Sequence, residues 1–379
     1  MSEVMSYAEH FAKIVEDQLA RVEAMKNARG AQDFAAKEKI IIGTIDGDGI
    51  GPIIMDSCRQ ILEKLLAEEL RSGRIELRKI EGLTIENRIA KMETVPAEVL
   101  EQIRQCDLLL KGPTTTPGKG DGRPNLESAN VTLRRELDLF ANVRPVSIPE
   151  QGIDWIFYRE NTEGEYALGS RGVDINDDIS IDFKVTTTIG TTRLARAAFE
   201  YAKNNGNKNV SIVTKANIMK KTDGKFLSLC MDVAKDYPEI KVDDWYVDIM
   251  AANLINPLFN KGFNVVILPN LYGDIITDEA AQIQGGVGTA GSANIGDRYA
   301  MFEAIHGSAP RMVADGIAEY ANPASLCRAA VMMLRHAAMT EPAQKLESAL
   351  DEAAAALDMP GDGTGNTAAD FTAFVLERL

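Results

Sequence analysis

From residue 39 onward, short runs of aliphatic residues alternate with longer stretches whose apolar positions recur every three or four residues. The short runs predict buried strands at 39–45, 75–80, 107–112, 153–159, 209–214, 241–248 and 263–268. The longer periodic stretches predict helices at 53–70, 96–105, 191–205, 223–236, 248–260, 274–283, 323–339, 341–357 and 367–378. This alternation of strands with helices predicts an α/β fold with a largely parallel central sheet.

Two segments depart from the alternation. Residues 5–29 predict an amphipathic helix ahead of the first strand, with Gly30 as its stop signal. The apolar positions of this helix are Phe11, Val15, Leu19, Val22 and Met25. Its apolar face packs either on its own subunit or on a neighbouring chain. The second segment, 167–187, has a polar start and an alternating end, which predicts a projecting arm or hairpin of the kind used in dimers.

Composition narrows the class of protein. The chain has 379 residues, 45% of them hydrophobic, which is enough for two domains. Its net charge of −15 argues against nucleic acid as a partner, because phosphates require a basic surface. No apolar run is long enough to cross a bilayer, and the acidic N-terminus does not resemble a secretory signal. The four cysteines show no C-x-x-C spacing, so a reducing, cytoplasmic location is expected without disulfides or zinc.

The stretch SANVTLR, at 128–134, carries the most chemical information. Ser128, Asn130 and Arg134 offer a hydroxyl, an amide and a guanidinium on one side of a turn that leads into a helix. Arg144 and Arg159 follow along the chain. Each arginine alone could be an ordinary surface residue. Because guanidinium pairs bidentately with carboxylate, the group together indicates a pocket for a polycarboxylic acid.

Other residues suggest a metal and proton transfer. Asp274 and Asp278 lie four residues apart on one face of a predicted helix, and Asp248 ends an earlier strand. Carboxylates without a paired cation suit Mg²⁺ or Mn²⁺, although N-capping and a solvated helix face would also explain them. Lys215 and Tyr166 follow strands, where a lysine near carboxylates can be tuned for proton transfer and a tyrosine can donate a proton.

Three loops offer contacts for a nucleotide. GDGIGP, at 47–52, is not a dinucleotide fingerprint, because Pro52 stands where the third glycine is required, but its glycines permit a tight turn beneath a cofactor. KGPTTTP, at 111–117, carries three threonines that can meet a carboxylate or a nicotinamide amide, or serve only in a turn. In IHGSAP, His306 precedes Gly307, where the imidazole could contact an adenine or be structural.

In this order the motifs resemble those of the β-decarboxylating dehydrogenases, the family of isocitrate, 3-isopropylmalate and homoisocitrate dehydrogenases. The resemblance runs from about residue 39 to about residue 340 and rests on GDGIGP, KGPTTTP, LRRELDLFANVRPV, YRENTEGEY, KANIMKKTDG, NLYGDIITD and IHGSAP. It implies the α/β fold of that family, with a non-classical nucleotide site and two domains around a central cleft. The expected domains are an N-terminal helical extension (1–37), a large nucleotide-binding domain (38–139 and 286–379) and a small domain (140–285) with its arm near 167–187.

The resemblance also implies roles for individual residues. Substrate carboxylates would be held by Thr116, Ser128, Asn130, Arg134, Arg144 and Arg159. The nucleotide would contact Thr115, His306, Gly307, Arg311 and Asn322, and the metal would bind Asp248, Asp274 and Asp278. Lys215 would remove the hydroxyl proton, and Tyr166 would protonate the product carbon. The implied assembly is a homodimer or higher homo-oligomer in which Lys215 and Asp248 serve the partner's site.

Substrate and cofactor follow from a few positions. The pattern S-x-N-x-x-L-R resembles the isocitrate type, which implies oxidative decarboxylation of this tricarboxylic acid to 2-oxoglutarate. The alternatives are 3-isopropylmalate, homoisocitrate, a tartrate-like acid or, more remotely, a non-catalytic regulatory subunit. Arg311 and Met312 stand where NAD-type members carry an aspartate and an apolar residue, and where NADP-type members carry lysine and tyrosine. NAD is the expected cofactor, with NADP as the alternative.

Overall fold

The computed structural model describes residues 2–27, 32–118, 122–124, 126–169, 171–206, 208–285 and 290–379. Its strands are β1 (Ile40–Ile45), β2 (Ile75–Ile80), β3 (Leu108–Lys111), β4 (Ala141–Ile148), β5 (Ile153–Glu160), β6 (Val173–Asn176), β7 (Ile179–Ile181), β8 (Val210–Thr214), β9 (Val242–Tyr246), β10 (Val265–Leu268), β11 (Gly291–Ile295) and β12 (Ala300–Ala304). Its helices are α1 (Ser2–Lys26), α2 (Gly51–Leu65), α3 (Ala67–Ser72), α4 (Ile85–Lys91), α5 (Ala97–Arg104), α6 (Ala129–Glu136), α7 (Thr188–Asn204), α8 (Thr222–Ala234), α9 (Val247–Leu254), α10 (Asn270–Ile283), α11 (Pro310–Ala314), α12 (Ala324–His336), α13 (Thr340–Ala356) and α14 (Ala368–Arg378).

The chain forms two compact units. Unit 1 comprises Met1–Gly30 and Ile148–Thr277, and unit 2 comprises Ala31–Ser147 and Asp278–Leu379. Unit 2 is built on strands in the order β2-β1-β3-β12-β11-β4, in which β11 is antiparallel to both neighbours and the first four strands are parallel. Unit 1 is built on the parallel order β5-β10-β8-β9. The predicted α/β fold with a largely parallel sheet is therefore confirmed.

Burial explains why these runs become strands. All four residues of β3 and of β10 are buried, as expected for parallel strands that are covered by helices on both faces. In unit 2, one buried cluster joins aliphatic side chains of strands β1, β2, β3 and β12 with those of α5 and α6. This packing fixes the carboxyl ends of the parallel strands, and the loops that follow them carry most of the candidate site residues.

Several predicted bounds are wrong. The helix predicted at 53–70 is broken at Leu66, which leaves the helical region with φ −108° and ψ 24°, so that α2 and α3 are separate. The helix predicted at 248–260 ends at Leu254, before a 3₁₀ turn at Asn260–Gly262. Strands β4 and β11 were not predicted. The hairpin predicted at 167–187 is confirmed, because β6 and β7 pair antiparallel with Val173 opposite Ile181.

The N-terminal helix is confirmed, but its buried face agrees with the predicted one only in part. Ile14 and Met25 are buried, whereas Phe11 is 52%, Val15 40% and Leu19 62% exposed. Residues 28–30, where the predicted helix was to stop, lie outside the described residues. The helix contacts its own unit through polar side chains, Ile14 and the ring of Phe11, whose centre lies 5.7 Å from that of Phe183, whereas Val15 and Leu19 are exposed in a single chain.

None of the helices among the described residues has the length and apolar content needed to span a membrane.

Candidate functional site

A tight turn in unit 2 joins two of the predicted nucleotide loops. Gly47 and Gly49 have φ of 74° and 62°, which favour glycine, and a Cβ at either position would lie about 2 Å from a backbone oxygen of the neighbouring loops. Between them, Asp48 donates its backbone N–H to the Pro113 carbonyl at 2.7 Å, and Ile50 donates to the Ser308 carbonyl at 3.0 Å. The turn therefore fastens KGPTTTP and IHGSAP to each other.

The Asp48 side chain strengthens this arrangement. Its buried carboxylate accepts backbone N–H groups of Ile85 and Thr115, both at 2.7 Å. Burial raises the pKa of Asp48, and these two hydrogen bonds work against that rise. The Thr115 hydroxyl lies 2.8 Å from that of Ser308. Asp48 was missed by sequence reasoning, although its position between two glycines in a strand-to-helix turn was a usable signal.

A cleft of about 140 Å³ lies next to these loops, within unit 2. It is lined by Pro113, Thr114, Asn130, Arg134, Arg144, Ser292, Glu303, Ala304, Ile305, His306 and Gly307. Five of these residues were predicted site residues, and the structure brings them together from α6, β4 and the loop after β12. Two guanidinium groups beside an amide in a small polar cavity are suited to binding an anionic ligand.

An ion-pair network lies at the floor of the cleft. Arg134 Nη2 and Lys111 Nζ each lie 3.3 Å from a carboxylate oxygen of Glu303, and Asn294 donates to Glu303 at 2.8 Å. Burial alone would raise the pKa of Glu303, but Lys111 and Arg134 outweigh it and lower that pKa to about 2. Burial lowers the pKa of Lys111, which is fully buried. Glu303 therefore stays ionised and fixes the Arg134 side chain at the cavity wall.

Neither Lys111 nor Glu303 was predicted. Lys111 ends a strand otherwise made of leucines, and Glu303 lies inside β12. A charged residue within an apolar strand was the available signal for both, since such residues are rarely buried without a partner.

Arg144 and Asn130 are also held in place. Arg144 donates to Oδ1 of Asp278 at 2.8 Å, and the Thr114 hydroxyl donates to Oδ1 of Asn130 at 3.2 Å. The second contact directs the Asn130 amide oxygen toward the threonine, which leaves the amide N–H₂ as the side for a ligand. Ser128 precedes α6 as its N-cap residue and is half-buried.

The remaining predicted residues of unit 2 lie outside the lining of this cleft. Thr116 is exposed on the loop after β3, and Arg311 is exposed on the short helix α11. Asn322 accepts the backbone N–H of Ala324 at 2.9 Å, so its side chain shapes the start of α12.

Unit 1 places Arg159, Tyr166 and Asp274 together. Arg159 is 1% exposed, forms an ion pair with Oδ1 of Asp274 and donates twice to Asn270, at 3.1 and 2.7 Å. The Tyr166 hydroxyl donates to Oδ2 of Asp274 at 2.8 Å. Gly273 makes room for the arginine, because a Cβ there would lie 2.4 Å from Cγ of Arg159. Asn270 and Gly273 were not predicted, although both lie in the motif NLYGDIITD.

Lys215 and Asp248 form a second pair in unit 1. They follow the parallel strands β8 and β9, which pair with Thr214 opposite Tyr246, and their side chains meet at 2.5 Å. This hydrogen bond from Lys215 lowers the pKa of Asp248. Behind them, the buried Asp223 accepts the backbone N–H of Lys215 at 2.8 Å. The half-buried Lys215 and the exposed Asp248 therefore form an ion pair at the end of the sheet.

The three predicted metal ligands match a hard divalent cation by donor type, since all are carboxylates. The expectation that the two aspartates of α10 have no paired cation is wrong, because Arg159 binds Asp274 and Arg144 binds Asp278. Among the described residues of this chain, no three side chains of a metal-binding type are grouped.

His306 offers one further hydrogen-bonding position in the cleft. His306 belongs to the lining of the cavity, and its Nε2 is buried and has no hydrogen-bond partner among the described residues. Burial lowers the pKa of His306 more than its contact with the Gly307 carbonyl raises it. Because the Gly307 carbonyl can only accept, Nδ1 carries the proton of the neutral imidazole, and Nε2 is an acceptor that fits a ligand able to donate one hydrogen bond.

The comparison with known proteins decides the family, since the model for isocitrate/isopropylmalate dehydrogenases matches residues 41–377. The chain belongs to this family. It is accordingly an NAD(P)-dependent β-decarboxylating dehydrogenase, as the sequence motifs predicted.

Individual relatives do not separate the two main substrates. The chain is 40% identical over 333 residues to isocitrate dehydrogenase [NAD] catalytic subunit 5 of Arabidopsis thaliana, with 84% of this chain and 83% of that protein covered. It is 39% identical over 325 residues to 3-isopropylmalate dehydrogenase of Archaeoglobus fulgidus, with 83% and 91% covered. The crystal structure of isocitrate dehydrogenase from Methylococcus capsulatus is similar with a TM-score of 0.77 at 34% identity, covering 89% of this chain and 99% of that one.

Proposed function

We propose that this enzyme oxidises and decarboxylates isocitrate to 2-oxoglutarate and CO₂, with NAD⁺ as the hydride acceptor and Mg²⁺ or Mn²⁺ as the metal. The observation that carries the proposal is the polar lining of the unit 2 cleft, where Asn130, Arg134 and Arg144 converge. Isocitrate carries three carboxylates, whereas 3-isopropylmalate replaces one of them by an alkyl group.

Specificity follows from the cost of unpaired polar groups. An alkyl substituent placed against Asn130 would remove its amide from water without offering a hydrogen bond. Leaving a buried polar group unsatisfied costs about 1–3 kcal/mol, and sites built to bind polar groups reject analogues that lack them. Ser128, the N-cap residue of the same helix, adds a hydroxyl two positions before Asn130. Both residues favour a third carboxylate over an isopropyl group.

The chain's own residues supply proton transfer. A bound nicotinamide would accept the hydride, and a bound divalent cation would polarise the oxo and carboxylate oxygens of the substrate. Lys215 would take the proton of the substrate hydroxyl, and its pairing with Asp248 keeps the amine oriented. Tyr166 would deliver a proton to the carbon that loses CO₂. Its hydroxyl donates to Asp274, and this hydrogen bond fixes the position of the proton before its transfer to the carbon.

NAD⁺ is proposed as the cofactor because the surroundings of Met312 are acidic. The segment 357–367 lies close to Met312, since a Cβ at Gly361 of this segment would be 3.9 Å from the Met312 methyl group. That segment contains Asp358 and Asp362 and no basic residue. A 2′-phosphate near it would be repelled, and Arg311 alone would have to compensate.

Assembly into a homodimer is part of the proposal. Asp274 and Asp278 lie on α10 and Asp248 lies on α9, where the half-buried Lys215 and the exposed Asp248 pair at the end of β8 and β9. Unit 1 also exposes large apolar side chains at Ile249, Ile255, Leu258, Phe259 and Ile275. An apolar surface of this kind suggests contact with a second copy.

One set of assays tests the function. Initial rates would be measured with isocitrate, 3-isopropylmalate, homoisocitrate and tartrate, each with Mn²⁺ and with NAD⁺ or NADP⁺. We expect the highest kcat/KM for isocitrate with NAD⁺. A higher kcat/KM for 3-isopropylmalate would contradict the substrate, and a preference for NADP⁺ would contradict the cofactor. Light scattering at assay concentrations would contradict the dimer if it gave the mass of a single chain.

A further inference from the structure

Helix α1 precedes the region matched by the family model and is anchored on unit 1 by specific contacts. In its first half, Tyr7 donates to the Ile175 carbonyl at 3.1 Å, and His10 contacts the Arg171 carbonyl at 3.0 Å. Asp17 accepts a hydrogen bond from Arg171 at 2.9 Å. These contacts fasten the helix to the segment that contains the hairpin.

Near its C-terminal end, the same helix reaches a different target. Arg21 donates from Nη1 to Oε1 of Glu163 at 3.0 Å and from Nη2 to the hydroxyl of Thr162 at 3.1 Å. Both partners belong to the segment 160–166, which begins at the end of β5, next to Arg159, and ends at Tyr166. The guanidinium fork therefore holds this segment at two points.

The segment has an internal reason to need a cation. Glu160 and Glu163 are 2% and 1% exposed, and their charges repel each other. Glu160 accepts the backbone N–H groups of Thr162 and Glu163, at 3.0 and 2.6 Å, and Glu163 accepts the backbone N–H of Thr187 at 2.8 Å. Two buried carboxylates so close together are stable only when nearby donors and a positive charge compensate them.

We propose that α1 is a brace for the active-site segment 160–166, and that Arg21 is a positioning residue for Tyr166. The helix holds the segment through Arg21, and the contacts of its first half hold the helix. This inference rests on the proposed role of Tyr166 as proton donor. It also assigns α1 a role within its own subunit.

The test compares four full-length proteins: wild type, Arg21→Met, Arg21→Lys and Lys26→Gln. Lys26 is the matched control, because it lies on the same helix and pairs with Glu23 on that helix, with both side chains exposed. Lysine at position 21 keeps the charge but cannot bind Thr162 and Glu163 with one planar fork. Steady-state kinetics with isocitrate and hydrogen–deuterium exchange of the peptide covering 160–168 would be measured for each.

We expect Arg21→Met to lower kcat roughly 10- to 100-fold with little change in KM, because a displaced Tyr166 no longer reaches the reacting carbon. The same variant should exchange faster at 160–168. Arg21→Lys should show a smaller loss, and Lys26→Gln should match wild type. If Arg21→Met fails to fold, the test rests on the other two variants. Arg21→Lys should then have a lower kcat and faster exchange at 160–168 than Lys26→Gln.

Three results would overturn the proposal that α1 braces the segment. The first is wild-type exchange and wild-type kcat in Arg21→Met, and the second is faster exchange in Arg21→Met without a loss of kcat. The third is a loss of kcat in Lys26→Gln equal to that in Arg21→Met. Failure of the proposed function is distinguishable, because a wild-type protein inactive on every acid would contradict that function alone. The exchange measurement would then still show whether Arg21 holds the segment.

Discussion

The hydroxyl of Tyr166 donates a hydrogen bond to Oδ2 of Asp274 at 2.8 Å. The other carboxylate oxygen of this aspartate pairs with Arg159. A candidate proton donor, a candidate metal ligand and a candidate substrate-binding arginine are thus connected through one carboxylate. A change at any of the three is expected to disturb the other two, and the first prediction concerns the tyrosine.

Replacing Tyr166 by phenylalanine should lower kcat for isocitrate by about 10²- to 10⁴-fold, the usual contribution of a general acid. The ring is kept, so its contact with the Arg159 guanidinium, 5.5 Å from the ring centre, should survive. Steady-state kinetics at saturating isocitrate and Mn²⁺ measure the effect. An unchanged kcat would remove Tyr166 from the proton-transfer step.

Replacing Arg134 by methionine should raise the KM for isocitrate by about 10- to 100-fold, since a charge-assisted hydrogen bond contributes about 1.5–3 kcal/mol. Glu303 keeps Lys111 as its partner in this variant. Arg135→Met is the matched control, because the side chain of Arg135 is exposed and its nearest carboxylate, on Glu127, is 3.8 Å away. Equal effects of the two substitutions would contradict a substrate-binding role for Arg134.

How far the strands could be predicted depended on what they bury. Strand β10 is a continuous apolar run, β3 is apolar up to its final Lys111, and both were found from the sequence. Strand β11 was missed because its sequence, GSANI, contains polar residues that the fold buries. Asn142 of β4 donates to Ser292 and Asn294 of β11, both at 3.0 Å. A strand stabilised by such long-range hydrogen bonds leaves no apolar period in the sequence.

The same reason explains what was missed at the site. The motifs identified Arg134, Arg144 and Arg159 because arginines grouped with a serine and an asparagine indicate a carboxylate pocket in an acidic chain. They did not reveal the carboxylate partners, since Glu303 is distant in sequence from the arginine it contacts. Helix α1 shows that apolar periodicity alone does not predict the buried face of a helix, because the charged residue Arg21 helps to determine which face turns inward. In both cases contacts between residues distant in sequence determine the structure, and apolar periodicity does not reveal such contacts.

Replacing Lys111 by methionine should lower the free energy of unfolding by about 3 kcal/mol, because it leaves Glu303 buried with less compensating charge. The side chain of Lys111 is fully buried, so solvent cannot replace the lost contact. Urea denaturation at pH 7 measures the change. Adding Glu303→Gln should restore part of the loss, and a double variant that is less stable than Lys111→Met would contradict the charge argument.

A partly buried histidine should make the protein less stable in mild acid. His336 packs against Phe34 and Phe302, with ring centres 5.3 and 5.7 Å apart, and burial lowers its pKa from 6.5 to about 4. Between these values the unfolded chain binds a proton that the folded chain does not, so stability falls as pH decreases from 6.5 to 4. Above pH 6.5 neither state is protonated, and this contribution to the pH dependence vanishes.

The difference of about 2.5 pKa units corresponds to roughly 3 kcal/mol lost across this window. The His336→Phe variant keeps an aromatic ring beside its two neighbours and has no proton to bind, so its stability should depend less on pH between 6.5 and 4. Urea denaturation of both proteins at several pH values within this window measures the two slopes. Equal slopes would mean that the folded protein protonates His336 as readily as the unfolded chain does, which its burial between two phenylalanines should prevent.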